Sequence, residues 1–260
     1  MLVAPATLAV LLFLVIPVSE TLIGPLSGLT RFLDGRFAQA VVIRTLRIAA
    51  LTTLISVVVG FATAIAVART GPRLKRALLI AAVFPLLTGI VVRSFAWMVI
   101  LGRNGMVNTL LLQTGLTQTP LPLLYSEGAV IVAMAYLFIP IMILTLVGVL
   151  DGIDASVIEA AASLGAGPMA AFRRVVLPLA MPGLVVGAVL VFTGSFTAFA
   201  TPRLLGGDRQ VVLATLLYQD AMVAFDWPRA STIATIMVAI TLAVVLAMTR
   251  VARRLNPAAA

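Results

Sequence analysis

The sequence predicts an all-α integral membrane protein with six transmembrane helices, and three observations carry that expectation. Of its 260 residues 62% are hydrophobic and only 10% charged, with a mean hydropathy of +1.18. A soluble domain is about 45–50% apolar and about 25% charged, and a water-soluble fold of this length cannot hide such an excess. The apolar residues fall in long uncharged runs, and the arginines lie mostly between them. Such runs cross a bilayer as helices, because a lone segment in lipid must satisfy its own backbone, and none shows the alternating period of a barrel strand.

A crossing needs about 20 apolar residues, and six stretches qualify: 4–26, 41–68, 77–101, 128–150, 175–200 and 231–248. The first reads as a retained span rather than a signal peptide. It lacks a basic leader, and Glu20 precedes a Gly/Pro-rich stretch with no clean small-residue cleavage site. Spans two and three are joined by Arg69-Thr-Gly-Pro-Arg-Leu-Lys-Arg76, short enough to make them antiparallel neighbours. Pro140 lies in span four and Pro178 and Pro182 in span five, where kinks are tolerated. Two longer links, 102–127 and 201–230, are rich in Gly, Pro and Asn and read as outer connections. No internal repeat, low-complexity tract or soluble domain boundary appears, so the chain reads as one membrane domain over 1–260.

Arginine placement sets the orientation. With the N-terminus cytoplasmic, nine basic residues fall inside, six outside, and Arg44, Arg47 and Arg93 lie near or within spans. The hairpin from Arg69 to Arg76 and the tail Arg250, Arg253, Arg254 are compact positive-inside signals. An even number of spans then places both termini in the cytoplasm. The net charge of +9 and pI near 11.5 reflect this topology rather than nucleic-acid binding, because no aromatic-interleaved basic segment is present. The sequence has no histidine and no cysteine. That excludes His-based acid/base chemistry, a Ser-His-Asp triad, disulfides and Cys- or His-ligated metal.

The inner link 151–174 is the most patterned part of the chain. Asp154 and Ser156 are good N-cap residues, and Ser156-Val-Ile-Glu159 has capping-box spacing. Helix then follows to Leu164, with Val157, Ile158, Ala161 and Leu164 on one apolar face. Gly165 and Gly167 bend the chain, and Pro168 suits the first turn of a second short helix carrying Met169, Phe172 and Val176. On pattern alone this is equally a pair of amphipathic helices lying on the inner leaflet.

The spacing Glu159-Ala160-Ala161, Gly165, Val175-x-Leu177-Pro178 resembles the EAA loop of permease subunits of type I ABC importers, with valine where that family often has isoleucine. The resemblance runs from about residue 41 onward. Pro85-Leu-Leu, Val91-Val-Arg-Ser-Phe-Ala-Trp-Met98, Pro140 and Phe199-Ala-Thr-Pro-Arg-Leu-Leu-Gly-Gly207 are similar to the spermidine/putrescine branch. The resemblance implies the type I permease fold with a cytoplasmic coupling helix, in a bacterial inner membrane. It implies that Glu159, Ala160, Ala161, Leu164 and Gly165 contact or shape a docking surface for a dimer of ATPase subunits. It also implies a second, different permease subunit, a soluble binding protein outside, and a small organic solute, a polyamine or a related amine or amino-acid-like compound. No cofactor is expected in this chain. Gly-x-x-x-x-Gly-Lys-Ser/Thr is absent, and the one lysine is Lys75, so ATP and Mg belong to the partner ATPase and this subunit is not itself an enzyme.

Candidates for the translocation path are Arg93, Ser94, Tyr136, Thr193, Ser195 and Thr197. An intramembrane arginine is costly and faces protein or a watery path, and Arg93 equally fits a contact to backbone carbonyls or snorkelling to headgroups. Left uncompensated, its charge favours a zwitterionic or acidic solute over a polyamine. Ser and Thr in spans more often bond helix backbones. Asp208, Asp220 and Asp226 read as solvated loop charges, and Trp97 and Trp227 as outer-interface anchors. The alternative function is a self-contained secondary carrier or channel. Such a carrier calls for buried ion ligands, and carboxylates inside these spans are nearly absent.

Overall fold

A computed structural model describes residues 26–255, with side chains from Gly28 to Val251. The described residues form helices and connecting turns, with no strand among them. We number the helices α1 (Leu26–Leu33), α2 (Arg36–Ala68), α3 (Pro72–Leu87), α4 (Ile90–Leu101), α5 (Met106–Gln113), α6 (Glu127–Asp151), α7 (Ala155–Ser163), α8 (Pro168–Phe196), α9 (Ala200–Gly206), α10 (Leu213–Tyr218) and α11 (Trp227–Leu255). Five helical stretches are long and apolar enough to cross a membrane: Arg36–Ala68, Ile90–Gln113, Glu127–Asp151, Pro168–Phe196 and Trp227–Val251. The expected first span, 4–26, lies outside the described residues save its last residue.

Helix α6 is the centre of the packing, with Val130, Met134, Met142 and Leu146 fully buried between α2 and α8. Small residues let the three helices close on one another, as expected where lipid supplies no hydrophobic drive. A Cβ on Gly60 of α2 would lie 2.6 Å from Met142 Cγ, and one on Gly187 of α8 would lie 2.6 Å from Met142 Sδ. One turn earlier in α8, a Cβ on Gly183 would meet Val149 Cγ2 at 2.5 Å. A second cluster joins Phe192 and Phe196 of α8 to Val41 and Ala49 of α2, Leu213 of α10 and Ile233 of α11.

Two expected spans differ in shape. Span three, expected over 77–101, is broken at Thr88–Gly89 into α3 and α4. Pro85 cannot donate to the preceding turn, and Thr88 turns extended with ψ 135°. The crossing stretch on this side therefore runs through α4 and α5, jogging at Gly102–Gly105. There a Cβ on Gly105 would lie 2.4 Å from the carbonyl oxygens of Val99 and Ile100. Span five, expected over 175–200, is the helix Pro168–Phe196 with a π-turn at Phe172–Val176. Pro178 has no N–H to return to the preceding turn, and the wider π-turn absorbs the mismatch just before it.

The two long links are folded, and the start of the first, expected over 102–127, falls within the crossing stretch Ile90–Gln113. In 102–126, buried Asn108 donates from Nδ2 to the carbonyls of Gly102 and Leu121 at 3.0 Å each and accepts from Leu121 N at 2.8 Å. In 201–226, the apolar run Val211-Val-Leu-Ala-Thr-Leu packs back on the bundle. Thr45 Oγ1 accepts from Leu213 N at 2.9 Å, and Arg44 Nη1 donates to Val211 O at 3.1 Å. A short turn joins Ala68 to Pro72, as expected, and Leu79 and Ala82 of α3 pack against the core cluster centred on α6.

Candidate coupling segment and path residues

The bent segment forms at the end of the bundle that carries the 69–76 turn. Asp154 caps α7, its carboxylate accepting from Ser156 N at 2.9 Å, and this backbone hydrogen bond holds the carboxyl below its ordinary value. The cap is therefore Asp154, and the expected Ser156–Glu159 capping box does not form, because Ser156 already sits inside the first turn. The helix stops in a Schellman arrangement: Gly165 N donates to Ala162 O at 2.9 Å and Ala166 N to Ala161 O at 3.0 Å. Gly165 has φ +84°, the left-handed conformation that such a stop requires. After Gly167, Pro168 starts α8, as the sequence indicates.

No residue of α7 is buried. Glu159, Ala160 and Gly165 are exposed and Ala161 half-buried, while Leu164 is 89% exposed and Met169 68%. Among the described residues the apolar face is therefore covered only in part, with Val157 43% and Ile158 39% exposed beside Leu164. The segment is fastened at its ends instead. Lys75 Nζ pairs with Asp151 Oδ1 where α6 ends, and the Phe172 ring lies 5.9 Å from that of Phe61 on α2.

The path candidates separate into two kinds. Arg93 is buried; its Nη1 donates to Pro85 O at 2.8 Å and reaches Thr88 O at 3.4 Å. It thereby joins Thr88 Oγ1, which also donates to Pro85 O, in satisfying carbonyls where α3 ends. Ser94 Oγ donates to Ile90 O at 2.8 Å. Ser195 is buried with its hydroxyl unpartnered, and Thr193 is half-buried. Thr197, at the end of α8, is exposed while its Oγ1 bonds Thr193 O at 2.8 Å. Tyr136 is 40% exposed on α6 and meets Trp97 edge-on, ring centroids 5.7 Å apart. Of the six, Tyr136 and Thr197 present open surface.

All three span-embedded arginines have partners, since Arg47 pairs with both oxygens of Glu127 across α2 and α6. Asp220 differs from the expected solvated charge. It is buried with Arg229 Nε 3.1 Å from Oδ2; burial pushes its carboxyl up while Arg229 pulls it down. Asp226 caps the first turn of α11, accepting from Arg229 N at 3.1 Å, and Asp208 pairs with Arg203 at 2.5 Å. Trp227 is exposed at the start of α11, whereas Trp97 is partly covered by Tyr136. Sequence reasoning missed Thr45, Arg44 and Asn108 as fasteners of the links. The available signal was polar side chains set within or beside apolar runs.

Comparison with known proteins follows the same outline. The family model described as binding-protein-dependent transport system inner membrane component matches residues 56–260. The chain is 32% identical over 204 residues to the spermidine/putrescine transport system permease protein PotB of Haemophilus influenzae, covering 78% of this chain and 71% of that one. It is 29% identical over 203 residues to PotB of Escherichia coli, covering 78% and 74%. Its fold superposes with a TM-score of 0.82 on a bacterial ABC transporter involved in the import of the acidic polysaccharide alginate, over 97% of this chain and 94% of that one. At 17% identity that likeness concerns the fold alone. The matched stretch takes in the basic hairpin, the bent segment and the last span, and the chain belongs to the binding-protein-dependent transport system inner membrane component family, as a permease subunit of an ABC importer.

Proposed function

We propose that the bent segment 151–174 is a mechanical plug for a separate ATPase dimer, and that this subunit pairs with a second, different permease and receives solute from a soluble binding protein. The observation that carries the reading is α7 itself: a capped and stopped helix with no buried residue and with Leu164 89% exposed. Apolar surface at the basic end of the bundle suits docking of a protein partner. The basic end then faces the cytoplasm of a bacterial inner membrane, with both termini on that side. ATP and Mg are held by the partner, and its closure moves α7. The two permease halves alternate between states open to opposite sides, each biased by a different ligand.

The solute we infer is a small organic cation of the polyamine class or a related amine or amino-acid-like compound. Similarity to the Haemophilus influenzae spermidine/putrescine permease supports it. The Arg93 guanidinium is turned onto Pro85 O and Thr88 O, a structural contact that the sequence reading allowed for, although these neutral acceptors leave its positive charge in place. Tyr136 and Thr197 are the residues we place along the path, with Ser94, Thr193 and Ser195 supporting the helices behind them. The test is purification of the tagged chain from its native membrane, followed by spermidine and putrescine uptake by the purified assembly in vesicles. An ATPase and a second permease should accompany it, and uptake should require ATP. Uptake by the chain alone, driven by an ion gradient, would establish the secondary-carrier alternative.

A further inference from the structure

We infer that Lys75 and Asp151 are positioning residues for energy coupling, forming a strut that ties the base of the bent segment to the α2–α3 hairpin. The placement of the two charges is the evidence. Lys75 lies at the start of α3, near the positive end of that helix, and Asp151 is the last residue of α6, at its negative end. A cation at a helix start and an anion at a helix end are each disfavoured by the macrodipole. Neither charge therefore serves its own helix; each serves the other, through the Nζ–Oδ1 pair. Lys75 is also the one lysine in a chain whose other 17 basic residues are arginine. A compact ammonium on a flexible stem suits a single-point strut where a planar fork is not needed.

The strut completes a closed mechanical path. Asp151 stands three residues before the Asp154 cap of α7, and Phe172, at the far end of the segment, packs on Phe61 of α2. Helices α2 and α3 are joined by only the residues between Ala68 and Pro72. Both ends of the bent segment are thus fastened to one hairpin, while no residue of α7 between them is fully buried. A push on α7 is passed to α2 and α3 as well as to α6 and α8. The pair is half-exposed, with side chains 20% and 44% accessible, so it adds little to folding. Its loss should loosen transmission and leave assembly intact.

The inference rests on the ATP-coupled reading above, and the experiment separates the two. In the assembled importer, reconstituted with its ATPase, second permease and binding protein, Lys75→Gln and Asp151→Asn should each lower solute moved per ATP hydrolysed about three- to fivefold, with subunit co-purification unchanged. The exchange variant Lys75→Asp/Asp151→Lys should recover at least half of the wild-type ratio. It also puts each charge at the helix end that the macrodipole favours, and its subunit co-purification reads whether it assembles. Asp151→Asn should speed acetylation of Lys75 by an amine reagent, read by mass on the peptide that carries it. Wild-type transport ratios in both single variants, or an exchange variant as impaired as the singles, overturn the strut while ATP-driven wild-type uptake preserves the function. Unchanged Lys75 acetylation overturns the pair whatever the transport result. A wild-type assembly without ATP-driven uptake removes the functional reading and the coupling role with it.

Discussion

The guanidinium of Arg93 donates to the carbonyl oxygen of Pro85 at 2.8 Å, bridging the break between α3 and α4. The buried side chain thereby supplies donors to carbonyls at the end of α3. Thr88 Oγ1 adds a second donor to the same carbonyl at 2.8 Å. Arg93→Met should therefore lower the thermal midpoint of the purified assembly, since a charge-assisted hydrogen bond contributes about 1.5–3 kcal/mol. The ratio of uptake rates for amines and carboxylates should not change. An altered ratio at unchanged stability would return Arg93 to the solute path.

Gly60 and Gly187 both face Met142, but unequally. At Gly60 the added carbon would meet Met142 Cγ at 2.6 Å and Cβ at 2.8 Å, the stiff root of that side chain. At Gly187 it would meet Sδ, the flexible end. Gly60→Ala should cost about 1–3 kcal/mol by overpacking, and Gly187→Ala less. Adding Met142→Ala to Gly60→Ala should restore part of the loss, as a double-mutant cycle on detergent-solubilised protein would show.

Buried hydroxyls divide by partner. Thr45 Oγ1 receives Leu213 N and itself donates to Val41 O at 2.7 Å, so Thr45→Val leaves a buried N–H unpaired and should cost about 1–3 kcal/mol. Thr52, Ser56 and Ser195 have buried oxygens with no partner. Thr52→Val, Ser56→Ala and Ser195→Ala should be neutral or stabilising in the same melting assay. Destabilisation by the three would show that water or a neighbouring subunit satisfies them.

The cap of α7 is acid-sensitive in a defined direction. Asp154 is held below its ordinary value by donation from Ser156 N, so the cap is fully present above about pH 4 and fades as pH falls through the depressed value. The protection factor of the Ser156 amide, its exchange rate corrected for the intrinsic pH dependence, should fall on that descent in wild type. In Asp154→Asn, which keeps an acceptor without a titrating group, the protection factor should stay level. An equal fall in both would place the acid response elsewhere.

The legibility of the molecule followed the strength of its local signals. Uncharged runs made α2, α6, α8 and α11 visible, and the Gly165–Pro168 punctuation marked the bend correctly. The break at Thr88–Gly89 was hidden because Leu86, Leu87, Ile90 and Val91 are as apolar as any span, and only Pro85 hinted at it. The long links, rich in Gly, Pro and Asn, read only as outer connections. Their packing depends on Thr45, Arg44 and Asn108, which act across distant stretches and carry no periodic mark. Asp220 likewise looked solvated because burial of a loop carboxylate depends on Arg229, supplied by another helix.

Docking of the bent segment on an ATPase is tested most directly at Leu164. The chain contains no cysteine, so Leu164→Cys creates a unique thiol on an 89% exposed position. A maleimide-linked photoreactive probe at that thiol, activated in native membranes, should join this subunit to an ATPase chain, with the yield changing when ATP is added. Cross-linking to lipid alone, or to no protein, with and without ATP, would contradict the coupling role.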